Sequence, residues 1–229
     1  RTQENPIKVL EDIDGIKYIL ELSKNTGVKR VFFSSSSEVY GEPVELPQHE
    51  HTTPLNSRVP YAIVKNVGEA YLKSYKREYD LDYTIFRFFN TYGVNQSPDF
   101  VVTRFIRAAL NNQDITLYGD GSQTRTFCYV DDNIDACVKI LYKNKMINDI
   151  INIGGDVVIK IIDLAKMIIS LTNSSSKIIN LPPLIDGDMT RRQPDNTKML
   201  AILGRDLLSI EEGIKLMLAD ENFVNSCVE

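Results

Sequence analysis

Tryptophan is absent from the 229 residues, and cysteine (three) and histidine (two) are scarce. Cys128, Cys137 and Cys227 have no CxxC spacing, and His49 and His51 do not complete a metal set with them. That inventory excludes a disulfide framework and a zinc site, so no metal is expected. Low cysteine use fits a reducing compartment, and a cytoplasmic location is the expectation. Positive charge is not in excess: 26 Lys and Arg stand against 31 Asp and Glu, a net charge of −5. No basic footprint for nucleic acid follows from that balance. Apolar runs fall far short of the roughly 20 residues that cross a bilayer, and the opening residues carry no secretory pattern. Neither nucleic-acid binding nor membrane attachment is expected. A glycine-rich GxGxxG loop, the usual cradle for a dinucleotide pyrophosphate, is also missing.

What is present is ordinary globular material, 43% hydrophobic, 25% charged and 9% aromatic. It suffices for one domain or a domain and a half. The densest chemistry lies between Val31 and Lys65. An apolar run, Val31-Phe32-Phe33, leads into Ser34, Ser35, Ser36 and Ser37, then Glu38-Val39-Tyr40-Gly41. A loop over 41–60 containing Pro43, Pro47, Pro54 and Pro60 follows, then Tyr61-Ala62-Ile63-Val64-Lys65. Tyr61 and Lys65 are spaced i and i+4, so on a helix they share a face. In open α/β sheets ligands bind outside the carboxyl ends of strands, where these serines fall. A tyrosine, with an ordinary pKa of about 10, is a poor base at neutral pH. A lysine ammonium one turn away favours the phenolate, and a serine hydroxyl can share the proton in transit. The competing reading, two ordinary helix-surface residues, loses weight beside the serine cluster.

Taken in order, 5–25 reads as one helix with Pro6 in its first turn, a broad apolar stripe including Ile7, Leu10, Ile19 and Leu22, and Gly27 as its stop. A strand covers 31–34. His49 and His51 read as plain loop surface. The spacing predicts a helix over 61–79, with Val64, Val67, Ala70, Tyr71 and Tyr75 inward, and a strand over 82–88. Further helices are expected over 100–111, 130–141, 159–171, 197–203 and 209–218, and strands over 115–118, 150–153 and 177–181. Asp131 or Asp132 would cap the second of these helices, and Ser209 with Glu212 forms a capping box. Arg125, after the turn Gly119-Asp120-Gly121-Ser122, can fork onto a phosphate, as can Arg192 beside Arg191. A solvated charge run is the alternative for Arg191 and Arg192. Asn90, at a strand end, either caps a turn or faces a ligand.

Ser-Ser-Glu-Val-Tyr-Gly over 36–41, followed by Tyr61-x-x-x-Lys65, resembles the extended short-chain dehydrogenases/reductases that modify nucleotide sugars. Further matching stretches are Arg87-Phe88-Phe89-Asn90-Thr91-Tyr92-Gly93, Tyr118 to Arg125, Tyr129-Val130-Asp131-Asp132, Asn152-Ile153-Gly154-Gly155 and Arg191-Arg192-Gln193-Pro194-Asp195. The resemblance covers most of the chain. It implies an α/β, NAD-binding Rossmann fold, a doubly wound parallel sheet truncated at its N-terminal side, with a smaller mixed α/β substrate-binding domain. Residues 1–90 would be the C-terminal part of the Rossmann domain. Residues 91–229 would be mainly the substrate region, interleaved with it and closing as a lid over the strand ends. It further implies NAD as cofactor, a nucleotide sugar as substrate and a homodimer. Tyr61 would be the base, Ser36 its proton partner, and Lys65 the group tuning Tyr61 and holding the nicotinamide ribose. Ser34 would also face the cofactor. Ser37, Asn90, Arg125 and Arg192 would face the substrate. Asp12 and Gly15 hold the places of a family Asn and Gly at altered spacing.

A 4-keto sugar is the intermediate the resemblance implies. Glu38 after Ser37 is found in decarboxylases of UDP-glucuronate and in GDP-mannose dehydratases; the stretches around Arg125 and Arg192 are closer to the former. UDP-glucuronate decarboxylation is therefore the favoured reaction, with Glu38 returning a proton and Arg192 placing the carboxylate. A C4 epimerase, a 4,6-dehydratase and a non-catalytic nucleotide-sugar binding module are the alternatives.

Overall fold

A computed structural model describes residues 5–182 and 191–228. The chain starts with α1 (Pro6–Leu10) and α2 (Asp12–Asn25), then β1 (Arg30–Ser36), α3 (Pro60–Tyr79) and β2 (Asp82–Phe88). Next come β3 (Thr91–Tyr92), α4 (Val101–Leu110), β4 (Ile115–Tyr118), β5 (Thr124–Thr126), β6 (Cys128–Tyr129) and α5 (Val130–Tyr142). Then follow β7 (Asp149–Ile153), β8 (Val158–Lys160), α6 (Ile161–Leu171), β9 (Ile178–Leu181), α7 (Thr197–Leu203), α8 (Ile210–Ala219) and α9 (Glu221–Cys227).

β1, β2 and β7 form a parallel sheet in that order. Ser36 pairs with Phe88, and Phe88 with Ile153, so the three carboxyl ends finish in one row. Both faces are covered, which is why β2 is buried almost throughout instead of alternating. Tyr83, Ile85 and Ile150 pack with Leu20, Leu72 and Tyr75 of α2 and α3. Phe86, Ile151 and Ile153 pack with Ala136, Ile140, Met199 and Leu203 of α5 and α7. β7, α5 and α7 all follow residue 90 yet return to this sheet. A separate core holds Phe105 and Ile106 of α4, Leu164 and Ile168 of α6, and Ile214 and Met217 of α8. The fold is the parallel α/β Rossmann type expected.

Several local expectations change. The helix over 5–25 is interrupted at Glu11, where Asp14 N–H bonds the Glu11 carbonyl three residues back (3.1 Å). Its apolar stripe is largely exposed, Tyr18 at 70% and Leu22 at 59%. On α3 Ala70 is exposed, whereas Gly68 and Glu69 are buried. Asp132 does not cap α5; it is buried and pairs with Arg205 (2.5 Å) while accepting from Leu208 N–H (2.9 Å). Val158–Lys160 forms a strand, so the following helix starts at Ile161. His49 and His51 lie at the loop surface as read, and there they meet Asp195 (2.7 Å) and Asp149 (2.9 Å). The Ser209–Glu212 capping box forms as read. Among the described residues no helix is long and apolar enough to cross a membrane, and no cluster suits a metal.

Gly41 ends a short 3-10 turn over Ser37–Tyr40 with φ 65° and ψ −154°, a region open essentially to glycine. A Cβ there would lie 2.2 Å from the Asn56 carbonyl oxygen. Gly204 has φ 67° and ψ 23°, with no atom within 4 Å of an added Cβ. Urea unfolding should show a cost of about 1–2 kcal/mol for Gly204→Ala, the left-handed penalty alone. Gly41→Ala should cost more; equal costs would contradict the close approach at Asn56.

Candidate active site

A cavity of 1070 Å³ opens at the carboxyl ends of β1 and β2, where Ser36, Ser37, Glu38, Phe88 and Asn90 line it. Tyr61 and Arg192 complete this end. Each group arrives by a definite local device. Ser36 is the last residue of β1, and its Oγ accepts the Glu38 N–H (3.2 Å), capping the turn that carries Glu38. Pro60 occupies the first helical position of α3, so Tyr61 enters in the first turn. Arg192 is held because Gln48 and Asp195 clasp: Gln48 N–H donates to the Gln193 carbonyl and Asp195 N–H to the Gln48 carbonyl, each 2.8 Å.

Glu38 and Arg192 form a short ion pair across the cavity wall, 154 residues apart in sequence. Arg192 Nε is buried with no hydrogen-bond partner among the described residues. The pair therefore leaves guanidinium donor capacity unused beside the Ser36–Tyr61 end.

Burial pushes the Tyr61 phenol above its ordinary pKa. A hydrogen bond with Ser36 opposes that rise, Glu38 adds to it and Arg192 opposes it. Lys65, expected to tune Tyr61, stands beside it. Its Nζ sits 5.5 Å from the Tyr61 ring centroid and 5.4 Å from that of Phe33. Burial lowers the Lys65 pKa, and Asp12 at the start of α2 partly restores it. Lys65 makes no hydrogen bond or ion pair to a described residue, which leaves its ammonium available to a ligand beside Tyr61.

The structure thus brings together Ser36, Ser37, Glu38, Tyr61, Asn90 and Arg192, with Lys65 at their flank. Asn90 lines the cavity while its Nδ2 donates to the Thr126 carbonyl (2.9 Å). Two predicted residues stand apart. Ser34 is exposed and outside the cavity lining. Arg125 is buried in β5 and donates to the Thr124 carbonyl (2.8 Å), also outside the lining. Sequence reasoning gave no role to Thr91, Tyr92, Gln96, Phe100, Phe127 and Tyr129, which extend the cavity. Tyr92, Phe127 and Tyr129 lie in or beside the motif stretches, but nothing in their spacing marks them as lining.

These influences predict signed shifts. In ultraviolet difference titrations read against Tyr61→Phe, the Tyr61 midpoint should lie above that of free tyrosine. Glu38→Gln, which removes an anion, should lower it; Ser36→Ala should raise it. A midpoint indifferent to both substitutions would overturn this assignment.

The chain matches the NAD dependent epimerase/dehydratase family over residues 1–154. It is 36% identical over 218 residues to UDP-glucuronic acid decarboxylase 1 of Danio rerio, covering 92% of this chain and 51% of that protein. It therefore spans about half the length of that curated relative. Among solved structures, UDP-glucose 4-epimerase of Thermotoga maritima with UDP-glucose superposes with a TM-score of 0.87 at 32% identity, over 95% of this chain and 71% of the other. UDP-glucuronic acid 4-epimerase of Bacillus cereus, in complex with UDP-glucuronic acid and NAD, gives 0.84 at 28% identity, over 93% and 67%. With the parallel sheet and the Ser36–Tyr61–Lys65 arrangement already in place, these likenesses settle its kinship: the chain belongs to the NAD dependent epimerase/dehydratase family.

Proposed function

We propose that this protein is a NAD-dependent nucleotide-sugar enzyme that works through a 4-keto sugar, and that it decarboxylates a UDP-hexuronic acid. The observation that carries this reading is the Glu38–Arg192 pair on the wall of the cavity that holds Ser36 and Tyr61. A substrate carboxylate can compete with Glu38 for the Arg192 guanidinium and free Glu38 as it docks.

The unpartnered Lys65 ammonium beside Tyr61 suits NAD: Lys65 and Tyr61 would hold its nicotinamide ribose hydroxyls. When bound, NAD supplies a hydride acceptor for C4 and later a hydride donor. Tyr61 takes the C4 hydroxyl proton, with Ser36 sharing it. The C4 ketone then lies β to the C6 carboxylate. Arg192 orients that carboxylate, the C5–C6 bond breaks with loss of CO2, and its electrons pass into the C4 enolate. Glu38 returns a proton to C5. Ser37 and Asn90 contribute hydroxyl and amide groups to the same wall for the sugar.

A C4 epimerase is the second reading, favoured by the similarity to two 4-epimerases. It needs no C6 chemistry, so Arg192 would only bind. A 4,6-dehydratase and a non-catalytic binding module are the remaining readings. The exposed apolar residues of α2, Tyr18, Ile19 and Leu22, support a homodimer through this face.

Mass spectrometry of the full-length protein with NAD and a pool of UDP- and GDP-sugars separates the reactions. The expected outcome is loss of CO2 from UDP-glucuronate. Loss of water would indicate a dehydratase, and conversion without mass change an epimerase. No turnover would leave the binding module. Tyr61→Phe should lower kcat by about 10²–10⁴-fold, the usual worth of a positioned base. Arg192→Gln should suppress CO2 loss more than formation of the 4-keto sugar. Light scattering should give a dimer that Leu22→Glu disrupts; an unchanged mass would exclude this face.

A further inference from the structure

Tyr61, Lys65 and Glu69 follow one another at four-residue steps on α3, so they share a face. Glu69 is 1% exposed and is the charged member of that face nearest the sheet. Its partner is Arg87, near the end of β2 and also 1% exposed. Arg87 Nε donates to Glu69 Oε1 (2.9 Å) and Nη2 to Oε2 (2.6 Å), a two-pronged ion pair. Glu69 Oε1 also accepts the hydroxyl of Ser35 (2.6 Å), the residue next to Ser36. From its other prong, Arg87 Nη1 donates to the Tyr40 hydroxyl (2.9 Å) and to the Glu50 carbonyl (3.0 Å). Tyr40 closes the turn that carries Glu38 and in turn donates to Asn152 Oδ1 (2.8 Å). Asn152 takes its N–H to Glu50 Oε1 (3.0 Å) and its Nδ2 to the carbonyls of Gln48 (2.8 Å) and Asp195 (3.2 Å). Those last carbonyls belong to the clasp behind Arg192.

We propose that Arg87, paired with Glu69, is the positioning residue of the active site: one buried guanidinium sets the relative placement of Ser36, Glu38, Tyr61 and Arg192. Neither Arg87 nor Glu69 lines the cavity, so neither is a catalytic residue. The four catalytic groups stand on three separate pieces of chain: the end of β1 with the 37–40 turn that it runs into, the first turn of α3 and the 191–196 segment. Apolar packing alone allows such pieces to slide. A planar fork with directional bonds does not. Burial adds to this constraint, because each polar atom of the network would lose its partner if a piece moved. A buried ion pair is a poor source of stability compared with apolar groups of similar volume. Its presence at the junction of these pieces fits a demand for geometry.

The proposal rests on the reaction proposed above, but its test has an arm that does not. The test uses the full-length protein. Arg87→Met/Glu69→Leu replaces the pair by apolar side chains without leaving a buried charge alone. Ser35→Ala and Tyr40→Phe each remove one spoke and keep the ion pair. Folding is checked by circular dichroism and thermal unfolding. The first arm needs no substrate: the Tyr61 midpoint is read by difference titration against Tyr61→Phe. Freed from register with Ser36, Tyr61 should titrate at higher pH in the double variant and in Ser35→Ala. The second arm is steady-state turnover of the nucleotide sugar that the wild type accepts. There kcat should fall about 100-fold in the double variant, the scale of a misplacement of 1 Å, while KM stays close to wild type. The acid limb of the kcat profile should move up with the Tyr61 midpoint.

A folded double variant with wild-type midpoint and kcat would overturn the proposal and leave Arg87 as core filling. If the double variant does not fold, Ser35→Ala and Tyr40→Phe decide: wild-type Tyr61 titration in Ser35→Ala and unchanged kcat in both overturn it. If the wild type turns over no nucleotide sugar, the proposed reaction fails, and the titration arm alone still supports or overturns the positioning role.

Discussion

Parallel pairing of β1, β2 and β7 places three carboxyl ends on one edge, and nothing within the sheet can fill the space beyond them. That constraint organises the rest. The strands are short, and β2 and β7 are buried almost throughout, so their side chains are committed to packing. Chemistry becomes available only where each strand stops, at Ser36 and just past Phe88. The first turn of α3, Arg192, the stretch after β2 from Asn90 to Val102 and residues around β6 and the start of α5 then close around that edge, and the cavity is the space they leave.

Closing such an edge requires polar groups to be buried, and the molecule meets the requirement with one connected network. Arg87 lies in the most enclosed strand, where a lone charge would be strongly unfavourable. Glu69 neutralises it from α3 and accepts the Ser35 hydroxyl, the Tyr40 hydroxyl and the Glu50 carbonyl complete the hydrogen bonds of Arg87, and Asn152 carries the connection to the loop carbonyls. The same groups that satisfy one another also join the pieces of chain that bear the reactive side chains. Satisfaction of buried polar atoms and placement of the site are one arrangement here.

The electrostatics of the cavity then follow from position. Tyr61 is raised by burial and moved in opposite senses by Glu38 and Arg192. Any ligand that separates that ion pair changes the environment of the base. In the proposed reaction an anionic substrate docking on Arg192 would take the place of Glu38, and carboxylate capture and proton transfer at Tyr61 would be linked through a single guanidinium.

Much of this was legible in the sequence. Apolar strand runs, proline in the first turn of α3, the i, i+4 spacing of Tyr61 and Lys65 and the Ser209 capping box are local patterns, and local patterns depend on neighbours a few residues away. Hence the serine cluster, Glu38 and the Tyr/Lys pair could be named together. Asn90 and Arg192 came from motif resemblance, and the structure seats both in the cavity. Tertiary structure decided the rest. It left Arg125 and Ser34 outside the cavity lining and set the Lys65 ammonium over the rings of Phe33 and Tyr61. It also buried Glu69 and Arg87, which composition assigns to the surface. The reason is physical. Which way a side chain points at a strand end, and whether a charge finds a partner, depend on contacts such as Glu69 with Arg87 and Glu38 with Arg192, made between residues far apart in the chain.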